Sequence, residues 1–175
     1  MYIIKYNNLK SYYAISNIQK IQIYLLSFTK ECRSVSFQGL NKKKFKDYQK
    51  IAVVRNPWDR MVSRYFYSKK ISAKFKDVTF DEFVNFDIRN NMYVLNQYRF
   101  CTKDKTNFCI DKIIKFENLN NDFDEVSLGI FGKKGLLKHS NSTEYGKYRD
   151  YYNAELKDKI YSNFKKDLNF FDYEF

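Results

Sequence analysis

Ile51-Ala52-Val53-Val54-Arg55-Asn56-Pro57-Trp58-Asp59-Arg60-Met61-Val62-Ser63-Arg64-Tyr65 changes character at its arginine. Before Arg55 stand four apolar residues, three of them β-branched. That is the pattern of a strand buried on both faces, the habit of a parallel sheet in an α/β domain. After Arg55, Asn56 can cap a helix with its side-chain oxygen. Pro57 suits the first helical position, because the N–H it lacks would have been unpaired there. A helix is therefore predicted from Pro57. Along it Trp58, Met61, Val62, Tyr65 and Phe66 form one apolar stripe at helical spacing, while Asp59, Arg60, Ser63 and Tyr67 lie off it. A strand end, an arginine, a helix N-terminus and a hydroxyl on the helix's polar face outline a crevice. α/β proteins bind ligands at such strand ends, and a guanidinium there can grip a phosphate through two hydrogen bonds. The pattern asks for an anion.

The rest of the chain limits what that anion can be. At 175 residues one domain with its own core is expected. With 44% apolar and 19% aromatic residues, one proline and five glycines, the composition excludes a low-complexity or disordered chain. The net charge is +12, with basic residues dispersed among Tyr, Phe and Asn instead of gathered in a tail. Such an excess predicts an anionic partner: a nucleotide, an acidic glycan or nucleic acid. No RNP or helix-turn-helix signature accompanies it, so nucleic acid is the least supported of the three. Cys32, Cys101 and Cys109 have neither C-x-x-C spacing nor paired histidines, which argues against a zinc site or a redox dithiol; no metal is expected. Without a visible signal peptide, reduced thiols and a cytoplasmic location are expected. The apolar run from Ile21 to Phe28 is broken by Gln22 and Ser27 and falls far short of the roughly 20 residues of a membrane span.

In order, Met1 to Tyr6 is predicted as a strand and 16–30 as a helix. Lys10 and Ser11 lie in the loop between them. Residues 42–50 form a charged connector. Thr79, with Asp81 and Glu82 behind it, starts a short helix. Residues 88–106 show little periodicity and read as a long surface excursion. Residues 111–119 form a strand with Glu117 at its carboxyl end, facing the same crevice. A helix follows from about Asn121 and closes at Gly132. Gly132-Lys133-Lys134-Gly135 is a basic turn, and a last helix over 153–166 turns Leu156, Ile160, Tyr161 and Phe164 inward. The strand at 51–55 is predicted to lie beside those near 2–6 and 113–117 in a parallel sheet, through right-handed crossovers.

Several of these stretches resemble one family. Val54 to Tyr65, V-R-N-P-W-D-R-M-V-S-R-Y, is similar to the 3'-phosphate-binding signature of sulfotransferases that use 3'-phosphoadenosine 5'-phosphosulfate (PAPS), the carbohydrate branch in particular. Further similarities follow in the family's order: T-F-x-x-F-V from Thr79, F-E-N-L from Phe116, L-x-H-x-N-x-S from Leu137 with Thr143 in place of the last serine, Y-R-x-Y-Y from Tyr148, and D-x-x-x-F-x-Y-x-F from Asp167 to Phe175. The resemblance implies a P-loop-NTPase-like three-layer α/β fold, with a small central parallel sheet flanked by helices, as a single domain over 1–175. It implies PAPS as cosubstrate and a glycan acceptor whose pocket residues 88–106 help to shape. It assigns the 3'-phosphate to Arg55 and Ser63, with Lys133 and Lys134 as a basic clamp on the same group. The 5'-phosphosulfate falls to Lys10 and Ser11, with Lys30 to Ser36 as a second candidate stretch. Family members follow this lysine with small residues, whereas Tyr12-Tyr13 or Arg33 stand here, so the loop is degenerate or truncated. Lys10 would stabilise charge on the bridging oxygen, and Glu31 or His139 would take the acceptor's proton. Two alternatives stay open: a catalytically inactive nucleotide- or glycan-binding remnant of the fold, and a basic nucleic-acid-binding protein.

Overall fold

The computed structural model describes residues 21–24, 49–102, 108, 110–135 and 144–175. Strands β1 (Ile21–Tyr24), β2 (Gln49–Val54) and β3 (Lys112–Lys115) make a parallel sheet in the order β1-β2-β3. Ile23 pairs with Ile51 on one side of β2, and Val54 with Lys115 on the other. Ile51, Ala52 and Val54 are buried, so both faces of β2 are covered, as its unbroken apolar run predicts.

One expectation fails on the first strand. The helix predicted over 16–30 is interrupted by β1, because Ile21-Gln22-Ile23-Tyr24 alternates with period two and can pair with β2, and a short apolar run fits either template. The strand predicted at 2–6 lies outside the described residues; β1 is the neighbour of β2 on the side away from β3.

The chain divides into two compact units, one of residues 1–54 and 100–142, the other of 55–99 and 143–175. In the first, α4 (Leu119–Phe131) covers the sheet: Leu119, Phe123 and Val126 join Ile51 and Ile114 in a buried cluster. The helix ends as predicted at Gly132, whose φ of 67° is left-handed and suits glycine.

The second unit is helical, built on α1 (Pro57–Ile71), α2 (Phe80–Leu95) and α5 (Ala154–Phe171), with α3 (Gln97–Phe100) closing its first segment. Asn56 caps α1 through its Oδ1, which accepts the Trp58 N–H at 3.0 Å, and its Nδ2 donates to the Glu174 carbonyl. Trp58, Met61, Val62 and Tyr65 are buried along the predicted stripe, together with Phe83 and Val84 of α2 and Leu156, Ile160, Phe164 and Leu168 of α5. Thr79 and Glu82 form the reciprocal cap that starts α2.

Four details depart from the sequence reading. Residues 88–95 continue α2 instead of entering a surface excursion, and α2 is accordingly long. Helix α5 runs on to Phe171. Tyr161 is 45% exposed where an inward position was expected, since Leu156, Ile160 and Phe164 already fill that face. Arg60, assigned to the polar face of α1, is buried. No described helix is long and apolar enough to cross a membrane.

Candidate functional site

The side chain that ends β2 is held from several directions within the helical unit. Arg55 Nε donates to Asp59 Oδ2 at 2.6 Å, one helical turn on, and Arg55 Nη2 donates to the Tyr145 hydroxyl. Tyr145 in turn donates to Asp59 Oδ1 at 3.0 Å, so the Arg55 guanidinium, the Asp59 carboxylate and the phenol form one closed set of hydrogen bonds. Ser63 lies two turns into α1, eight positions beyond Arg55. Burial above all pushes the Tyr145 phenol up to about 12; the Arg55 charge pulls it down less strongly, so the phenol stays neutral at physiological pH.

The Arg55 backbone is fixed as firmly as its side chain. Its N–H donates to Gln97 Oε1 at 2.9 Å, and its carbonyl accepts from Gln97 Nε2 at 2.8 Å. Gln97 is set in place by Asp167 of α5, whose carboxylate accepts the N–H groups of Gln97 (2.7 Å) and Tyr98 (2.8 Å). Asp167 is fully buried, and desolvation raises its pKa against those two hydrogen bonds and the attraction of Arg60. Arg60 is the opposite case: burial lowers it to about 9, with Asp167 opposing the shift. The attraction of Asp167 offsets part of the cost of burying Arg60 at a position that a polar-face reading excludes. Arg64, the remaining arginine of α1, grips the buried Asp87 of α2 with two hydrogen bonds, at 2.5 and 3.0 Å.

The other predicted residues divide by location. Lys133 and Lys134 are exposed and belong to the sheet unit, whereas Arg55 and Ser63 belong to the helical one. Lys134 pairs with Asp124 of α4 at 3.0 Å. Gly135 fixes the end of their turn against α4: a Cβ there would stand 2.3 Å from the Phe123 ring. Glu117 is exposed in a 3-10 turn (Phe116–Asn118) beyond the end of β3, so it does not occupy the strand-end position expected for it. Lys10, Ser11, Glu31, His139 and the stretch from Lys30 to Ser36 lie outside the described residues. Sequence reasoning missed Tyr145, Gln97 and Asp167 altogether, and it left Asp59 without a role although its spacing of four from Arg55 is the usual one for a helical ion pair.

A guanidinium held beside a helix N-terminus, with its Nη2 edge on a neutral oxygen, is a geometry that suits an oxyanion. A sequence model described as Sulfotransferase family matches residues 5–174, almost the whole chain and both of its units. The chain belongs to that family. No curated protein and no solved structure matches it. The family's fold is the P-loop-like α/β one, with which the parallel sheet and its helices agree, and its chemistry is sulfuryl transfer, for which PAPS is the general donor. In this sulfotransferase-family chain Arg55 directly precedes the Asn56 cap of α1 and Ser63 lies within α1, both inside the motif from Val54 to Tyr65.

Proposed function

We propose that this protein transfers the sulfuryl group of PAPS to a hydroxyl or amine of a carbohydrate acceptor, with the 3'-phosphate of the nucleotide held by Arg55 and Ser63. The observation that carries the reading is the Arg55 guanidinium, fixed by Asp59 on its Nε edge and presenting its Nη2 edge to the neutral oxygen of Tyr145, in a chain of this family. In the reaction the acceptor oxygen or nitrogen bonds to sulfur as the bond from sulfur to the bridging phosphate oxygen breaks. Adenosine 3',5'-bisphosphate leaves, and the acceptor's proton passes to a base, for which Glu31 and His139 are the candidates. A lysine must stabilise charge on the leaving oxygen. Lys10 is the candidate, with the stretch from Lys30 to Ser36 as the second; β1 ends at Tyr24, ahead of Lys30 in the sequence, and backbone amides cradle a phosphate where a strand leads into a loop. Lys133 and Lys134 remain candidates for a second hold on the 3'-phosphate.

Adenosine 3',5'-bisphosphate tests the reading even if transfer is slow. At one hundred times its Kd a ligand adds about 2.7 kcal/mol of stability, which in a domain of this size raises Tm by roughly 5 to 10 °C. AMP, without the 3'-phosphate, should raise it much less. Arg55→Ala should erase the difference, and Arg55→Lys should keep only part of it, because an ammonium lacks the guanidinium's fork. Equal shifts from both nucleotides in the natural protein would sink the assignment. Transfer from labelled PAPS to a panel of glycans then separates an enzyme from an inactive nucleotide-binding remnant. In that assay Lys10→Ala should lower turnover more than it weakens binding of the bisphosphate, with Lys30→Ala as the variant that tests the second stretch.

A further inference from the structure

One side chain outside the pair stands at the centre of the site. Arg55 Nη2 donates to the Tyr145 oxygen, and the Tyr145 proton goes to Asp59 Oδ1. The phenol is thus both acceptor and donor within the set of groups that holds Arg55. The ring lies flat on Phe66, with centroids 5.5 Å apart and planes 8° apart, and this stack fixes where the oxygen sits. We propose that Tyr145 is a specificity-determining residue: its phenol oxygen occupies the position of a 3'-phosphate oxygen and acts as a resident competitor that the nucleotide must displace. The inference rests on the assignment of Arg55 and Ser63 to the 3'-phosphate.

The exchange follows from charge. A neutral phenol oxygen is a weaker acceptor from a guanidinium than a phosphate dianion, whose hydrogen bonds are charge-assisted. A ligand bearing the 3'-phosphate therefore gains by taking the place of Tyr145. One that offers only a ribose hydroxyl replaces a neutral oxygen with another and gains nothing. Asp59 keeps hold of the Nε edge, so the guanidinium stays aimed while its Nη2 edge changes partner. Tyr145 thus sets a threshold: the pocket opens to a doubly charged phosphate and stays closed to neutral groups. The alternative, a phosphate seated beside the phenol and accepting its proton, would require that proton to leave Asp59 and the Arg55 Nη2 to turn from the oxygen it now holds.

Calorimetric titration of the full chain with adenosine 3',5'-bisphosphate and with AMP tests this. Tyr145→Phe keeps a ring to stack on Phe66 and removes only the competing oxygen. It should tighten binding of the bisphosphate about fivefold, the worth of roughly one net hydrogen bond, and leave AMP unchanged. Phe66→Leu, which loosens the stack, should shift affinity in the same direction by less. In protein labelled with 3-fluorotyrosine, the fluorine resonance absent from Tyr145→Phe should move on addition of the bisphosphate and stay in place with AMP. If the natural protein prefers the bisphosphate and loses that preference in Arg55→Ala, while Tyr145→Phe binds it equally or more weakly, the phosphate assignment stands and the competitor role is overturned. If neither the natural protein nor Tyr145→Phe distinguishes the two nucleotides, both fall.

Discussion

The carboxyl ends of β2 and β3 are neighbours in the sheet, Val54 opposite Lys115, and each passes the chain to a helix by a different construction. At β2 the passage is immediate: Asn56 caps, Pro57 begins α1, and the intervening Arg55 is only 17% exposed. At β3 a 3-10 turn intervenes and Glu117 is exposed on it. Asn118 there caps no helical amide; its Nδ2 donates to Asp122, which reaches back to accept the Lys115 N–H at 3.0 Å. Both ends carry a charged residue in a position that suggests chemistry. The one at β2 is built into a network because distant residues, Gln97, Tyr145 and Asp167, fix it; at β3 the Lys115 amide is held from the first turn of the helix that follows. A charge at a strand's end becomes a site when the rest of the fold surrounds it.

That contrast can be broken at several points. The largest effect is expected from Asp167→Ala, which strips the acceptor from two backbone amides and removes the largest attraction that opposes the desolvation of Arg60. A loss of about 3 to 5 kcal/mol follows, measurable by denaturant unfolding, together with a smaller distinction between the two nucleotides as Gln97 loosens. A loss under about 1 kcal/mol would mean the β2 end is held by something else. Next in size, Asn56→Ala should cost about 1 to 2 kcal/mol, since it removes both the cap and the bond to Glu174. Asn118→Ala should cost clearly less; equal losses would erase the difference between the two passages. Smallest is Glu117→Gln, expected to stay within about 0.5 kcal/mol and to leave nucleotide affinity unchanged. A large drop in affinity would make the β3 end part of the site after all.

The β2–α1 passage was legible because all its determinants are local: a β-branched run, an Asn-Pro start and a stripe at helical spacing lie within one short stretch. Arg55 could be singled out for the same reason. Its partners could not, because the residues that fix it lie 42 and 90 positions away and Asp167 lies 70 from Gln97, and no local pattern records pairings of that range. Arg60 was misplaced because a polar-or-apolar pattern registers the residue's type and not the buried carboxylate that makes its burial tolerable. At Ile21–Tyr24 the failure was of another sort: the run is too short for periodicity to choose between helix and strand, and pairing with β2 decides it.

Gln97 treats Arg55 as an adjacent strand would, accepting from its N–H and donating to its carbonyl at 2.9 and 2.8 Å. Its carboxamide is in effect one peptide group written in the side-chain alphabet, prolonging the ladder by a single rung where β2 has already ended. Among the twenty letters only asparagine and glutamine spell that group, with donor and acceptor side by side. Glutamate has the same outline and would set an oxygen against the Arg55 carbonyl, so at this position resemblance of shape is no guide to interchangeability.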